Sequence, residues 1–408
     1  SIKFCAEKTL IIVYTASIPT TLAVMTKPEY IDTPEQLIDF CETIKEAPWL
    51  AIDTEFQREK TYRSILALIQ IATPDIVAII DPLACDINPL LDILYDKRIL
   101  KIFHAARQDQ EIFYDLRGEP LAPVFDTQIA APILGHPEQA GYARLVDDIL
   151  GVPLSKAHSR TDWLRRPLSE EQITYAADDV IYLAKLYPLL ENQLKEKQRL
   201  DWLAPAFADL CKASLYANPP ALAWKRMRAA KRLKGGSLSA LQKLAEWREA
   251  LAQQKNIPRG WLIKDDILIE VAKLKPNDQH ALSSIRGVTA KFLEKFGSTV
   301  LEIINTAIDK KPTPQTTQKK SARISENDEA LADLLMAQVR LAAAKANVNP
   351  TSITNRKELI QLIQGQRDLD LLSDWRQEMI GNDLVTTLDG ENDFKVVAGE
   401  LVISPSAT

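Results

Sequence analysis

The stretch from residue 49 to 82 constrains the fold most. It holds three β-rich runs, WLAIDTEF, ILALIQIAT and IVAIIDP, separated by turn-prone segments. Ahead of them, DTPEQLIDFCETIKEA has a capping residue, an early Pro and apolar residues at helical spacing. Behind them, PLLDILYDKRI reads as a helix, LKIFHA as a short strand, and RQDQEIFYDLRG as the helix it enters. After VFDTQIAAPIL the pattern is mostly helical to about residue 205. Three adjacent strands followed by alternating elements predict a mixed sheet with helices on both faces.

A chain of 408 residues is long for one domain. Residues 25–205 form the α/β domain, and 206–232 read as a basic connector, with NPPALAWKRMRAAKRLKGG opened by Pro and closed by Gly. Lys225, Arg226, Arg228, Lys231, Arg232 and Lys234 lie there with no acid among them. Residues 233–308 are helical, with apolar spacing such as Leu241, Leu244 and Trp247. A polar, flexible linker is expected at 309–324, a second helical segment at 325–395, and a tail at 396–408. Both helical segments carry a Trp-Arg pair, at 247–248 and 375–376, which suggests a diverged duplication.

Apolar content of 46% with 26% charged residues is that of a soluble globular protein. The net charge of −5 argues against a uniformly basic nucleic-acid binder but leaves room for local patches. Cys5, Cys41, Cys85 and Cys211 are scattered and form no CxxC pair. They match neither a zinc site nor a disulfide framework, so a reducing, cytoplasmic compartment is expected. Residues 9–24, TLIIVYTASIPTTLAV, follow Lys3 and Lys8 in the loose manner of a signal peptide. The run is broken by Pro19 and several Thr and is too short and polar to span a bilayer comfortably. The expectation is that Met25 is the natural start, that residues 1–24 are an upstream extension, and that no membrane is involved.

In LAIDTEF, Asp53 and Glu55 stand where an apolar run ends, on the same side of a strand. Burying charge there costs free energy unless something compensates. Asp109 begins the helix after the strand KIF. Tyr175 and Asp179 lie one turn apart on one face of the apolar helix ITYAADDVIYLAKLY. Asp178 also faces the tyrosine, so spacing alone leaves both aspartates open. Clustered carboxylates repel one another unless cations neutralise them. Oxygen-only ligands select hard ions, magnesium or manganese, and no organic cofactor is called for. Two such ions about 4 Å apart are an arrangement for cutting phosphodiesters in line.

AIDTEF, FHAARQD, DTQIAA and Tyr175-x3-Asp179 together resemble the DEDD exonuclease superfamily in its tyrosine subclass. SRTDWLRRPLSEEQITYAADDVIYL is similar to the bacterial ribonuclease D family. The resemblance runs from residue 25 to about 390. EWREALAQQKNIPRGWLIKDDILIEVAKLKP resembles an HRDC domain, and LLSDWRQEMIGNDL a more diverged second one. It implies a ribonuclease H-like α/β exonuclease core followed by two all-α HRDC bundles. It also implies a 3′-5′ exoribonuclease that releases nucleoside 5′-monophosphates from RNA, with transfer RNA precursors bearing 3′ extensions as the expected substrate. Asp53 would bridge both ions, and Glu55 and Asp179 would hold the ion that activates water. Tyr175 and Glu55 would orient that water, and Asp109 would serve the second ion through waters. The motif selects Asp179 over Asp178.

Further candidates surround this set. Phe56 is a candidate platform for a base, and Gln70 a polar group on an inner strand facing the site, with contact to the nucleic acid as its sharper alternative. His104 is expected to fix a strand-helix turn, with substrate contact as the sharper alternative, and Asp126 to cap a helix. Arg160 lies in a loop where a structural clamp and an RNA contact are equally compatible. The six cations at 225–234 suit phosphates, because each one neutralised releases counterions. Rival functions are a DNA 3′ exonuclease, since the carboxylates do not sense a 2′-hydroxyl, and an inert nucleic-acid-binding scaffold, which the complete acidic set disfavours.

Overall fold

The computed structural model describes residues 28–155, 161–314 and 323–406. The expected upstream extension, Arg160 and residues 315–322 of the expected linker lie outside the described residues.

β1 (Glu29–Ile31) leads into α1 (Pro34–Ile44), which opens on a capping box between Thr33 and Gln36. The three β-rich runs are β2 (Trp49–Gln57), β3 (Ile65–Ala72) and β4 (Val77–Ile80), paired antiparallel in succession. α2 (Asn88–Leu94), β5 (Leu100–Phe103), α3 (Arg107–Arg117), β6 (Val124–Asp126) and α4 (Thr127–Ala130) follow. β1 joins β4, β5 joins β2 and β6 joins β5, all in parallel, giving the order β1-β4-β3-β2-β5-β6. This is the predicted mixed sheet.

β2 is inner, and its residues alternate between two cores. Trp49 and Ala51 face the layer built by α5 (Tyr142–Leu150) and α6 (Glu170–Glu196), while Leu50 and Ile52 face α1, α2 and α3. Burial on both faces is why the run reads as continuously apolar rather than alternating. A bulge interrupts the β2–β3 ladder just after Glu55: Glu55 pairs with Leu68 and Phe56 with Leu66, leaving Ala67 as the extra residue.

After α7 (Ala204–Leu210) the expected connector turns out to be part of a packed module. It forms two 3₁₀ helices, Pro220–Arg226 and Arg228–Arg232, and buries Trp224, Met227, Ala230 and Leu233 against α8 (Gly235–Lys255). That three-residue interval is the period of a 3₁₀ turn, and it leaves the cations outside. The bundle continues with α9 (Arg259–Leu262), α10 (Asp265–Leu274), α11 (Gln279–Ser283) and α12 (Ala290–Ala307). A second bundle holds α13 (Glu326–Ala346), α14 (Pro350–Ile353), α15 (Arg356–Ile363), α16 (Asp374–Arg376) and, beyond a π turn, α17 (Asn382–Leu388).

Both bundles open alike. A 21-residue helix ends on an asparagine in the left-handed region, Asn256 or Asn347, and a four-residue helix follows. Asn tolerates that conformation because its short side chain bonds locally. Each asparagine also grips the sheet domain: Asn256 accepts from the Tyr62 and Arg63 amides, and Asn347 donates to the Leu134 carbonyl. The Trp-Arg pairs do not correspond, because Trp247–Arg248 lies on the first helix of its bundle and Trp375–Arg376 on α16. Trp375 instead stacks on Trp202 at 4.4 Å, joining the second bundle's core to that of the sheet domain.

The chain end corrects another expectation. Residues 392–405 are neither helix nor tail but a hairpin, β7 (Asn392–Val397) and β8 (Glu400–Pro405). Ala398 and Gly399 form its two-residue turn, both at positive φ, which matches the twist of paired strands.

Candidate active site

The end of β2 and the first turns of α6 build the site. Asp53 and Glu55 point toward α6, which carries Tyr175 and Asp179 one turn apart. Ligand oxygens of Asp53, Glu55 and Asp179 all lie within 4.8 Å of one another. Asp179 rather than Asp178 completes this trio. Asp109 stands apart from it, buried in the first turn of α3, where it accepts a hydrogen bond from the Thr54 hydroxyl at 2.5 Å. Thr54 points to the opposite side of β2 from its two acidic neighbours, so the strand holds carboxylates on both sides of its edge.

The turn into α3 explains how Asp109 is aimed. Ala105 has φ 62, an uncommon conformation for a residue with a Cβ. The Asp126 carboxylate holds this turn by accepting from the Ala105 and Ala106 amides at 3.0 and 2.8 Å. It also caps α4 through the Gln128 amide, as expected of it. His104 Nδ1 lies 2.9 Å from the Thr127 hydroxyl and its ring packs on Tyr142, so the histidine fixes the same turn.

Among the described residues, no cation acts on these carboxylates. Burial raises the Asp53 carboxyl well above the usual range, and Asp179 raises it further. Glu55 is pushed up to about 9, by burial first and then by Asp53, Asp179 and Asp109. Asp179 rises to about 7 through burial and Asp178, and Asp109 rises through burial and Asp53. A half-buried, all-oxygen cluster that resists ionisation when alone fits a hard divalent cation, whose charge removes the repulsion. Beside the trio a cavity of about 380 Å³ opens, lined among others by Leu154, Ser155, Thr174 and Tyr175.

Burial and the nearby Asp179 and Glu55 hold the Tyr175 phenol far above its ordinary pKa, so it stays a proton donor. Its ring lies 6.1 Å from that of Trp163, which is buried. The Trp163 loop is fixed by Arg166, which donates to the Trp163 and Ala67 carbonyls and to Asp81. Thr54, Asp81 and Arg166 were not anticipated from the sequence. Their partners lie 55 and 85 residues away, and no local pattern announces them.

The outer candidates scatter. Gln70 is 0% exposed, so it does not reach a nucleic acid. Phe56 is half-buried against the α1–α3 layer, on the other face of β2 from the trio. Lys225, Arg228, Lys231, Arg232 and Lys234 are exposed on the first bundle. Arg226 is exposed too, but it is engaged by the fully buried Glu249 and is not a free cation. Among the described residues, no helix is long and apolar enough to cross a membrane.

Residues 28–195 match the 3′-5′ exonuclease family and residues 237–304 the HRDC domain. A ribonuclease D from Sphingobium indicum is 39% identical over 378 residues, covering 91% of this chain and 97% of its own. One from Gluconacetobacter diazotrophicus is 38% identical over 375 residues, covering 91% and 95%. The crystal structure of Escherichia coli RNase D, described as an exoribonuclease involved in structured RNA processing, superposes with a TM-score of 0.74 at 29% identity. That likeness covers 90% of this chain and 99% of the other. The HRDC match falls on one of the two bundles.

Proposed function

The chain belongs to the ribonuclease D family and is a 3′-5′ exoribonuclease, and from that premise we propose how its acidic site works and which RNA it trims. Asp53, Glu55 and Asp179 would hold divalent cations, magnesium or manganese, and Asp109 would serve a second ion. A pair of such ions supplies the positive charge that activates a water and steadies the leaving 3′ oxygen. Tyr175, kept protonated, and Glu55 orient the attacking water beside the scissile phosphate. Each cycle releases a nucleoside 5′-monophosphate. What carries this reading is the approach of three half-buried carboxylates to within 4.8 Å, with no cation acting on them among the described residues.

The proposed substrate is structured RNA with a short 3′ tail, such as a transfer RNA precursor. Support comes from the structured-RNA processing ascribed to the Escherichia coli relative and from the exposed cations Lys225, Arg228, Lys231, Arg232 and Lys234, which suit the phosphates of an RNA body. Phe56 offers no platform for a base beside the trio, because its ring packs on the far face of β2. The second bundle is a diverged second HRDC domain, supported by its matching long helix, left-handed asparagine and four-residue helix. The cytoplasm is the proposed compartment, in keeping with Cys41, Cys85 and Cys211 being free among the described residues.

The test is a time course on a 5′-labelled transfer RNA precursor and a matched DNA, with magnesium, manganese or chelator. Stepwise shortening from the 3′ end, 5′-monophosphate products and silence in chelator are expected. A terminal 3′-phosphate should block the reaction, since it brings a dianion against the acidic cluster. Turnover by Asp53→Ala equal to that of wild type would overturn the metal assignment, and preferential digestion of the DNA would overturn the substrate.

A further inference from the structure

One polar side chain beside the site has no place in the scheme above. Gln70 lies directly opposite Asp53 in the β2–β3 ladder, at 0% exposure. Neither its amide oxygen nor its amide nitrogen has a hydrogen-bond partner among the described residues. Its surroundings are apolar: Ile79 opposes it on β4, and Ala176, Ala177 and Val180 of α6 belong to the core on that face. A buried amide without a partner destabilises a fold, and an apolar side chain of similar size would suit these neighbours better. Side chains directly opposed across an antiparallel pair have their Cβ atoms about 5 Å apart. A glutamine at that distance spans the gap to the Asp53 carboxylate.

We propose that Gln70 is a positioning residue for the metal site. In the loaded protein its amide nitrogen donates to the Asp53 carboxylate and fixes the orientation in which Asp53 meets the ions. Among the described residues no group already engages that amide. Carboxylate ligands are generally held by such outer donors, whose loss weakens metal binding about 10- to 100-fold. The inference rests on Asp53 being a metal ligand, as proposed above.

Gln70→Leu and Gln70→Met test it, because both keep the volume and remove the amide. In chelator their thermal midpoints should rise by about 2–4 °C over wild type, as expected for relieving one unmatched buried group. Manganese affinity, measured by calorimetry, should fall about tenfold or more. Manganese binding within twofold of wild type would overturn the proposal, as would a lower midpoint in chelator or failure of both variants to fold. Wild type and Asp53→Ala run alongside. If wild type binds manganese and Asp53→Ala does not, unchanged binding in the Gln70 variants removes only the role of Gln70. If binding survives Asp53→Ala, the metal assignment itself falls.

Discussion

Arg166 grips Asp81 through two guanidinium nitrogens, at 2.5 and 2.8 Å, across 85 residues of chain. The same guanidinium holds the carbonyl of Trp163, which touches Tyr175, and that of Ala67, the bulged residue beside the partner of Glu55. One side chain thus ties the support of the tyrosine to the strand irregularity next to a carboxylate. Arg166→Ala should lower kcat more than manganese affinity, because it frees the Trp163 loop and leaves the trio in place. It should also destabilise the protein by about 3 kcal/mol, since the Asp81 side chain is only 3% exposed and would stay buried without its partner. Arg166→Lys should rescue little, because a lysine lacks the fork that reaches several acceptors. Urea melts and steady-state kinetics check both effects.

The same pair predicts an acid response. Burial alone would raise the Asp81 carboxyl, but hydrogen bonds from Arg166, Tyr30 and the Leu83 amide outweigh it and hold it below the usual value. A depressed folded pKa means that the unfolded chain binds the proton more readily. The stabilisation is therefore present above about pH 4 and is lost as pH falls through the folded value. Melts of wild type and Arg166→Ala should converge in acid and separate near neutrality.

The acidic trio should behave in the opposite sense. Glu55 and Asp179 are raised to about 9 and about 7, so without metal the folded state holds protons that the unfolded chain releases. Chelated protein should lose stability as pH climbs from about 4 through these values. Manganese should flatten the curve and should release protons on binding at pH 7. A midpoint in chelator that is level from pH 5 to 9 would contradict this.

Tyr175→Phe removes one donor and no metal ligand. Turnover should fall by about 10²-fold, in the range for a misplaced proton-transfer group, with manganese affinity unchanged. Burst and calorimetric measurements on the same preparation separate the two.

Removing Lys225, Arg228, Lys231 or Lys234 one at a time should weaken RNA binding in chelator. Each loss should reduce the slope of log affinity against log salt by about 0.7 to 0.9, the value of one phosphate contact. Arg226→Ala should act differently, lowering stability by stripping a partner from buried Glu249.

The sequence carried the sheet domain well, because its signals are local. The capping box of Thr33 and Gln36, the runs buried on both faces and the helical spacing of Tyr175 and Asp179 all lie within a few residues. What stayed hidden depends on pairing between distant segments: Thr54 with Asp109, Arg166 with Asp81, and Arg226 with Glu249. The cationic stretch misled for a different reason. Its charges drew notice, while the buried set of Trp224, Met227, Ala230 and Leu233 follows a period that neither an α-helix nor a strand would show. The terminal hairpin did have a local signature, alternating apolar residues around Ala398 and Gly399.

Glu249 is sealed inside the molecule and receives Tyr62, Arg226 and Arg259 together. Tyr62 belongs to the loop that leaves β2 beyond Glu55, while Arg226 and Arg259 belong to the bundle itself, so pulling the first bundle off the sheet would cost Glu249 its tyrosine partner and open a buried ion cluster to water. The bundle cannot hang as a loose arm. If RNA rests on the outer cations as proposed, it would stand at a fixed reach from the cut, and the fold itself would act as the ruler for how long a 3′ tail must be.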